Sequence, residues 1–351
     1  MMVVLFHLHH LSSLALPSWA SAVGTHFGFG VHLFFVISAF ALMHTLKVHA
    51  RESWIRDYLV KRFFRIAPLF YLMLVVYLAF FSVKGWALPD GRTILLSIFF
   101  VFNFVPGKEE GIVWASWTIG VEMIFYAVLP VVLAVTKSVR GFLVLFVGSV
   151  LVSFLSRYSL ESSGGVLAKY AYAAFISNAG IFAAGLLACA VFRRINEAEL
   201  AVRMRASRVL GMGLLALVVL LFTPVAVLLL GPGRPDSYVW GTVFGTLVLW
   251  QAFAPARILS NRVMVWIGER SYSVYLLHPI LIILMAPVNK WLYQSIEPLL
   301  GNGAFFVCAV VTLATLLAAS AVSYRFVEAP GMALGRRLLQ ARRPAGLTVA
   351  P

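Results

Sequence analysis

The chain has 351 residues, of which 62% are hydrophobic and only 12% are charged, and its formal net charge is +15. Soluble domains carry about 25% charged residues, so this composition excludes an ordinary soluble protein and predicts a polytopic membrane protein. A basic chain can also bind nucleic acid, but no long basic segment lies outside the apolar pattern. We therefore expect membrane lipids, and no nucleic acid, around this chain.

The chain begins with an apolar run, 1–16, that three histidines interrupt. The sequence ASA at 20–22 resembles a signal-peptidase site, but no basic residue starts the run, so we expect a first membrane helix that lacks its beginning. His7 and His10 share one helix face, and a His-x-His-His pattern could also ligate zinc. Nothing else is placed to complete such a ligand set, so we predict no metal.

Nine further apolar runs have spanning length. They lie near 28–46, 66–83, 118–136, 141–156, 171–192, 209–230, 238–255, 271–288 and 303–322. The run 93–105 is too short to cross alone and is predicted to be re-entrant or interfacial. Lys and Arg collect in cytoplasmic loops, and the basic clusters share one side only if 93–105 does not cross.

The predicted fold is therefore an all-α, polytopic transmembrane helix bundle of about ten spans. It forms a single membrane-embedded domain over 1–351, ending in a basic cytoplasmic tail at 330–351. The charge pattern predicts that both termini face the cytoplasm.

The stretch "SWTIGVEMIFYAVLP" (116–130) carries an acid inside a predicted span. A carboxylate at the centre of a membrane helix costs about 2.5–3.5 kcal/mol on insertion scales, so Glu122 needs a partner. We expect His7 to be that partner, because a carboxylate beside an imidazole can hold its tautomer and stabilise its charged form. The alternative for each residue is a hydrogen-bonded position in the core without a catalytic role.

The stretch "RESWIRDYLVKRFFRIAP" (51–68) has an apolar stripe at helical spacing among basic residues. It predicts an interfacial helix that runs into the next span. Arg62 and Arg65 are three residues apart and reach one side, and paired guanidinium groups suit phosphates. The alternative is simple anchoring to anionic lipid.

Six motifs, in order, carry a family resemblance: "VVLFH" (3–7), "GVHLFFVISAF" (30–40), "KRFFRIAPLFY" (61–71), "SWTIGVEMIFY" (116–126), "IGERSYSVYLLHP" (267–279) and "SYRFVEAP" (323–330). Together they resemble the integral-membrane acyltransferase family 3, which includes O-acetyltransferases acting on surface polysaccharides and lipopolysaccharide. Each motif alone is weak, whereas six in this order are specific.

The resemblance implies a bacterial inner-membrane enzyme that moves an acyl group, most simply acetyl, from acyl-CoA to a hydroxyl of a carbohydrate or lipid-linked glycan. It implies that His7 is catalytic and that Arg62 and Arg65 bind the phosphates of the donor, acetyl-CoA. From the residues themselves we expect Glu122 to orient His7 or to stabilise its charged form. The side chains expected to line the substrate cavity are His278, Tyr272 and Trp117.

Two other functions remain open on the sequence. A transporter or flippase of envelope precursors would also have many spans and buried ionisable groups, although no inverted repeat is visible. An inactive relative could act as a scaffold in envelope assembly. Transfer of labelled acetyl to a glycan, or flux of a solute, would separate these possibilities.

Overall fold

The computed structural model describes residues 1–46, 53–221 and 237–341, and these ranges contain helices and no strand. The all-α prediction is thus confirmed for the described chain. Its α-helices are α1 Met2–Ser12, α2 Ser21–His26, α3 Gly30–Thr45, α4 Trp54–Val83, α5 Gly91–Ile98, α6 Trp117–Val135, α7 Val139–Ser162, α8 Gly165–Ala173, α9 Phe175–Asn196, α10 Leu200–Leu221, α11 Ser237–Phe253, α12 Arg262–Glu269, α13 Ser271–Leu300, α14 Ala304–Ser323 and α15 Ala329–Ala341.

Six helical ranges among the described residues are long and apolar enough to cross a membrane. They are Ser18–Thr45, Trp54–Val83, Trp117–Val135, Val139–Ser162, Gly165–Asn196 and Ser271–Ala341. The last range has 71 residues. A straight helix of that length would extend about 107 Å against a hydrocarbon core of about 30 Å, and α13 and α14 indeed turn back at a 3₁₀ turn, 301–303. The chain is therefore a multi-pass membrane protein with a helical bundle.

The number of ten spans stays a prediction. Part of the predicted span 209–230 lies outside the described residues, as do the basic residues Lys47 and Arg51 and the tail beyond 341. The orientation of the termini likewise stays a prediction.

The run 93–105 forms a short helix, α5, followed by a 3₁₀ turn at Phe102–Phe104. Eight helical residues extend only about 12 Å, so this segment does not cross as one helix. The side chain of Asp90 caps α5 by accepting a hydrogen bond of 2.6 Å from the amide of Thr93. The stretch 54–68 is helical and continues without a break through the rest of the long helix α4, while its interfacial position stays a prediction.

Close helix packing surrounds α9, which lies against α3, α7 and α11. A Cβ added at Gly185 would lie 2.4 Å from the carbonyl oxygen of Val36 on α3. Only glycine permits this approach, and small residues at contacts are the usual way in which membrane helices pack. This contact fixes α3, which carries the half-buried polar side chain of Ser38.

Two apolar clusters make up the core, and α1 contributes to both of them. Val3 packs into a cluster built around α3, α4, α6 and α9, whereas Leu8 packs into a cluster built around α13 and α14. The histidine between them, His7, therefore stands at the boundary of the two groups of helices.

Candidate functional site

A hollow of about 260 Å³ opens beside His7. Its side chains are mainly aromatic, with a histidine and a hydroxyl among them: Phe6, Phe29, Trp117, Tyr172, Tyr275, His7 and Thr25. Ligand sites are typically concave, largely apolar and equipped with a few polar groups that fix orientation. The hollow has this character, and it contains a group that can transfer protons.

The imidazole of His7 contacts a second histidine. Its Nδ1 lies 3.1 Å from Nε2 of His278 and 3.0 Å from the carbonyl oxygen of Val3. His278 is fully buried on α13, and its Nδ1 contacts the carbonyl oxygen of Tyr275. The packing of α1 on α13 brings the two rings to a centroid distance of 4.9 Å.

These contacts determine which ring nitrogens carry protons when both histidines are neutral. A carbonyl oxygen only accepts, so Nδ1 of His278 must donate to Tyr275, and Nε2 of His278 is then an acceptor. Nδ1 of His7 must therefore donate, shared between His278 and Val3. As a result Nε2 of His7 keeps its lone pair, on a side chain that lines the hollow.

Glu122 has other partners. Its carboxylate is 1% exposed and accepts hydrogen bonds from Ser38, at 2.6 Å, and from the hydroxyl of Tyr126. Arg62 and Arg65 also attract it electrostatically, while its second oxygen has no hydrogen-bond partner among the described residues. The expected contact with His7 is not formed, and the burial of Glu122 is offset by two hydroxyls and two cations.

Helix geometry explains why that expected contact is absent. Trp117 and Glu122 both lie on α6, and five residues of α-helix turn the side chain by about 140° and advance it about 7.5 Å. Trp117 faces the hollow of His7. Glu122 therefore points towards α3 and the arginines of α4, away from that hollow.

Arg62 and Arg65, both on α4, differ in their surroundings. Arg65 forms an ion pair of 2.5 Å with Glu328, which is fully buried, and donates to the carbonyl oxygen of Glu269 at 3.1 Å. Glu328 also accepts from Ser273. The Nε of Arg62, by contrast, is buried and has no hydrogen-bond partner in the described part of the chain. Arg62 is thus the arginine with a donor group still to be satisfied.

The three residues expected in the cavity have different positions. Trp117 lines the hollow. The hydroxyl of Tyr272 is buried and donates to the carbonyl oxygen of Ile66 at 2.8 Å, and His278 lies behind His7. These two residues support the walls of the site, from outside the set of side chains that line the hollow.

Sequence reasoning overlooked four residues of the site. Ser38 and Glu328 are polar positions within two of the quoted motifs, and Glu328 is the one acid in its motif, so this signal could have found them. Tyr275 belongs to a third motif, where it accepts from Thr118 at 2.8 Å and donates to the carbonyl oxygen of Ala115 at 2.9 Å. Tyr172 has no sequence signal, because only the packing of α8 brings it to the hollow.

Comparison with known proteins places these features in one family. The family model described as an acyltransferase domain, Acyl_transf_3, matches residues 1–321. The chain is similar to the "Putative peptidoglycan O-acetyltransferase YrhL" of Bacillus subtilis, with 25% identity over 97% of this chain and 54% of that protein. It is also similar to the peptidoglycan O-acetyltransferase OatA of Listeria monocytogenes, with 25% identity over 93% of this chain and 53% of that protein.

The chain thus spans about half the length of these curated relatives. No solved structure matches it. The family model nevertheless covers nearly the whole chain, including His7, Arg62, Arg65, Glu122 and His278. The chain belongs to the membrane acyltransferase family 3.

Proposed function

We propose that the chain transfers an acyl group, most simply acetyl, from acyl-CoA to a carbohydrate hydroxyl of the cell envelope. The geometry of His7 carries this proposal, because an imidazole with a free Nε2 lone pair lines a hollow in a membrane-embedded bundle. The names of the two relatives favour peptidoglycan, or a lipid-linked precursor of it, over lipopolysaccharide as the acceptor.

In the proposed reaction His7 acts as a general base. Its Nε2 takes the proton of the acceptor hydroxyl while the hydroxyl oxygen attacks the thioester carbonyl. The tetrahedral intermediate then expels the thiolate of coenzyme A, which takes the proton back from the imidazolium. His278 supports the charged state because its Nε2 accepts from Nδ1 of His7. The same lone pair could instead attack the thioester and form an acyl-histidine, an alternative route to the same product.

Arg62 is the proposed contact for a phosphate of the donor. Its buried Nε lacks a partner in the described chain, and Glu122 is close enough to interact with it electrostatically. Arg65 is a positioning residue in this account, since its guanidinium is engaged by buried Glu328. Breaking such a pair leaves an uncompensated buried charge, so Arg65 is expected to keep it when the donor binds.

The proposed location is the bacterial inner membrane, with both termini in the cytoplasm. The basic clusters support this orientation because Lys and Arg collect in cytoplasmic loops. Acyl-CoA would then reach Arg62 from the cytoplasm, and the glycan would approach the hollow from the membrane or the opposite side.

Reconstituted protein supplied with radiolabelled acetyl-CoA and a soluble peptidoglycan fragment tests the proposal. We expect label on the glycan. We also expect Arg62→Ala to raise the KM for acetyl-CoA about tenfold, because a hydrogen bond to a charged group contributes about 1.5–3 kcal/mol. Lys61→Ala is the matched control, since Lys61 is an exposed cation one residue away. Solute flux without labelling would favour the transporter. The absence of both labelling and flux would favour the scaffold.

A further inference from the structure

Two aromatic rings form a notch in the wall of the hollow. The rings of Trp117 and Tyr172 have centroids 4.9 Å apart and planes inclined at 55°. Trp117 is only 7% exposed and forms the rigid floor, held edge-to-face against Phe35, whereas Tyr172 is 37% exposed. A molecule that enters the hollow therefore meets the partly exposed Tyr172 side chain beside the buried indole of Trp117.

Charged groups stand beside this notch. The carboxylate of Glu110 acts electrostatically on Tyr172 and on Tyr275, two rings that line the hollow. The backbone carbonyl of Glu110 accepts a hydrogen bond of 3.0 Å from Ser116, which precedes Trp117. On the other side, the guanidinium of Arg157 lies 5.9 Å from the centroid of the Tyr172 ring. Hydrogen-bond acceptors and donors thus flank an aromatic surface.

We propose that Trp117 and Tyr172 are the platform on which the acceptor's pyranose ring stacks, with the Glu110 carboxylate accepting from its hydroxyl groups. This inference rests on the proposed function and names the acceptor subsite of the same hollow. The C–H face of a sugar ring is apolar and packs on aromatic rings, while its rim of hydroxyls needs polar partners. The stacked ring presents one hydroxyl to Nε2 of His7.

The alternative occupant is the acyl group of the donor, and the lining of the hollow argues against it. An acyl chain has no hydroxyls, so it would leave the Thr25 hydroxyl in the lining of the hollow without a new partner. The volume of about 260 Å³ lies just below the usual range of about 300–1,000 Å³ for ligand pockets, which limits the occupant to a group as small as one sugar ring. The subsite thus holds one sugar ring of a longer glycan.

The test measures two Michaelis constants in the full reconstituted chain, one for acetyl-CoA and one for a soluble disaccharide of N-acetylglucosamine and N-acetylmuramic acid. Tyr172→Leu removes the ring, and we expect the KM for the disaccharide to rise about tenfold while the KM for acetyl-CoA stays constant. Tyr172→Phe keeps the ring and should raise the KM for the disaccharide far less than Tyr172→Leu does. Tyr158→Leu makes the same change at a tyrosine that is 66% exposed on α7.

Glu110→Gln provides the second variant, because it retains the side-chain shape and removes the charge that would accept from sugar hydroxyls. We expect it to raise the KM for the disaccharide as well. An unchanged KM for the disaccharide in both Tyr172→Leu and Glu110→Gln would overturn the subsite. A rise in the KM for acetyl-CoA alone would overturn it too, since it would assign the hollow to the donor.

Calorimetric titration of the disaccharide into His7→Ala protein separates this inference from the proposed function. Suppose that the disaccharide binds, that Tyr172→Leu weakens this binding, and that the unmodified chain transfers no acetyl group. This combination would support the subsite and contradict the acyl transfer. Transfer that depends on His7 but is indifferent to Tyr172 and Glu110 would contradict the subsite alone.

Discussion

At the scale of single residues, the account depends on a pair of histidines. His7 was expected to need a partner that orients it, and the structure supplies His278 in that place, with Nε2 3.1 Å from Nδ1 of His7. The acid that sequence reasoning chose for this purpose, Glu122, faces Ser38 and the arginines. A neutral acceptor can fix a tautomer as a carboxylate does, but it stabilises the imidazolium less.

His278→Ala tests this orienting contact. Without the acceptor on His278, Nδ1 of His7 keeps only its hydrogen bond to Val3, so the tautomer with the proton on Nδ1 is less populated. A smaller fraction of His7 then has a free lone pair on Nε2. We expect kcat to fall about 10²-fold with little change in either KM. His278→Asn should restore much of the rate, because an amide oxygen can accept from the same Nδ1. Equal loss in both variants, with lowered thermal stability, would indicate a purely structural role.

The sequence motifs predict which residues are functional, but they do not predict which residues pair with one another in the fold. The sequence identifies His7, Glu122, Arg62 and Arg65 because polar residues within or beside apolar stretches are visible from the local composition. It does not indicate that Arg65 pairs with Glu328, because 263 residues separate them along the chain and only packing joins them. Pairing across a fold is a tertiary property that spacing does not contain.

At the scale of helices, the contact between α15 and α4 controls the arginine site. A Cβ added at Gly335 would lie 2.8 Å from Cβ of Phe64, and one added at Gly331 would lie 2.5 Å from Cγ of Pro68. These glycines let α15 lie directly on α4. The contact also places Glu328, just before α15, within reach of Arg65.

Gly335→Ala tests the importance of this contact. The added methyl group requires α15 to move away from Phe64, and overpacking of this kind costs about 1–3 kcal/mol. We expect a lower unfolding temperature in detergent. Gly148→Ala is the matched control, because a Cβ at Gly148 on α7 meets nothing within 4 Å. That variant should be neutral or slightly more stable, since alanine is the better helix former.

A second prediction concerns the cap of α5. Hydrogen bonding by Thr93, assisted by Lys108, lowers the pKa of Asp90 below its usual value. A lowered carboxyl pKa gives stabilisation that is present above the unfolded pKa of about 3.9 and is lost as pH falls through the lowered value. We expect the amide of Thr93 to be protected from hydrogen exchange at pH 6 and to lose that protection towards pH 3.

Asp90→Asn should remove this pH dependence, because asparagine caps a helix without titrating in this range. The amide of Met264 is an internal control, since the cap of α12 is already an asparagine, Asn261, at 3.0 Å. Protection of Thr93 that is the same at pH 6 and pH 3 would contradict the capping role of the Asp90 carboxylate.

At the scale of the whole molecule, the sequence predicts the class of fold well and its assembly poorly. Hydrophobic runs locate most of the helices, because a bilayer requires long apolar segments with satisfied backbones. They also identify 93–105 as too short to cross. The runs do not reveal that α9 lies against three other helices or that α1 stands between two apolar clusters. Those arrangements depend on close contacts such as Gly185 against Val36.

The central claim is that His7 performs proton transfer in a hollow shared with the acceptor. The most direct measurement compares acetyl transfer from labelled acetyl-CoA to the soluble disaccharide by reconstituted unmodified chain, His7→Ala and His44→Ala. His44 is an exposed histidine on α3 and serves as the matched control. We expect His7→Ala to reduce transfer at least about 10²-fold and His44→Ala to leave it unchanged. Transfer that persists unchanged in folded His7→Ala protein would contradict a role of His7 in proton transfer.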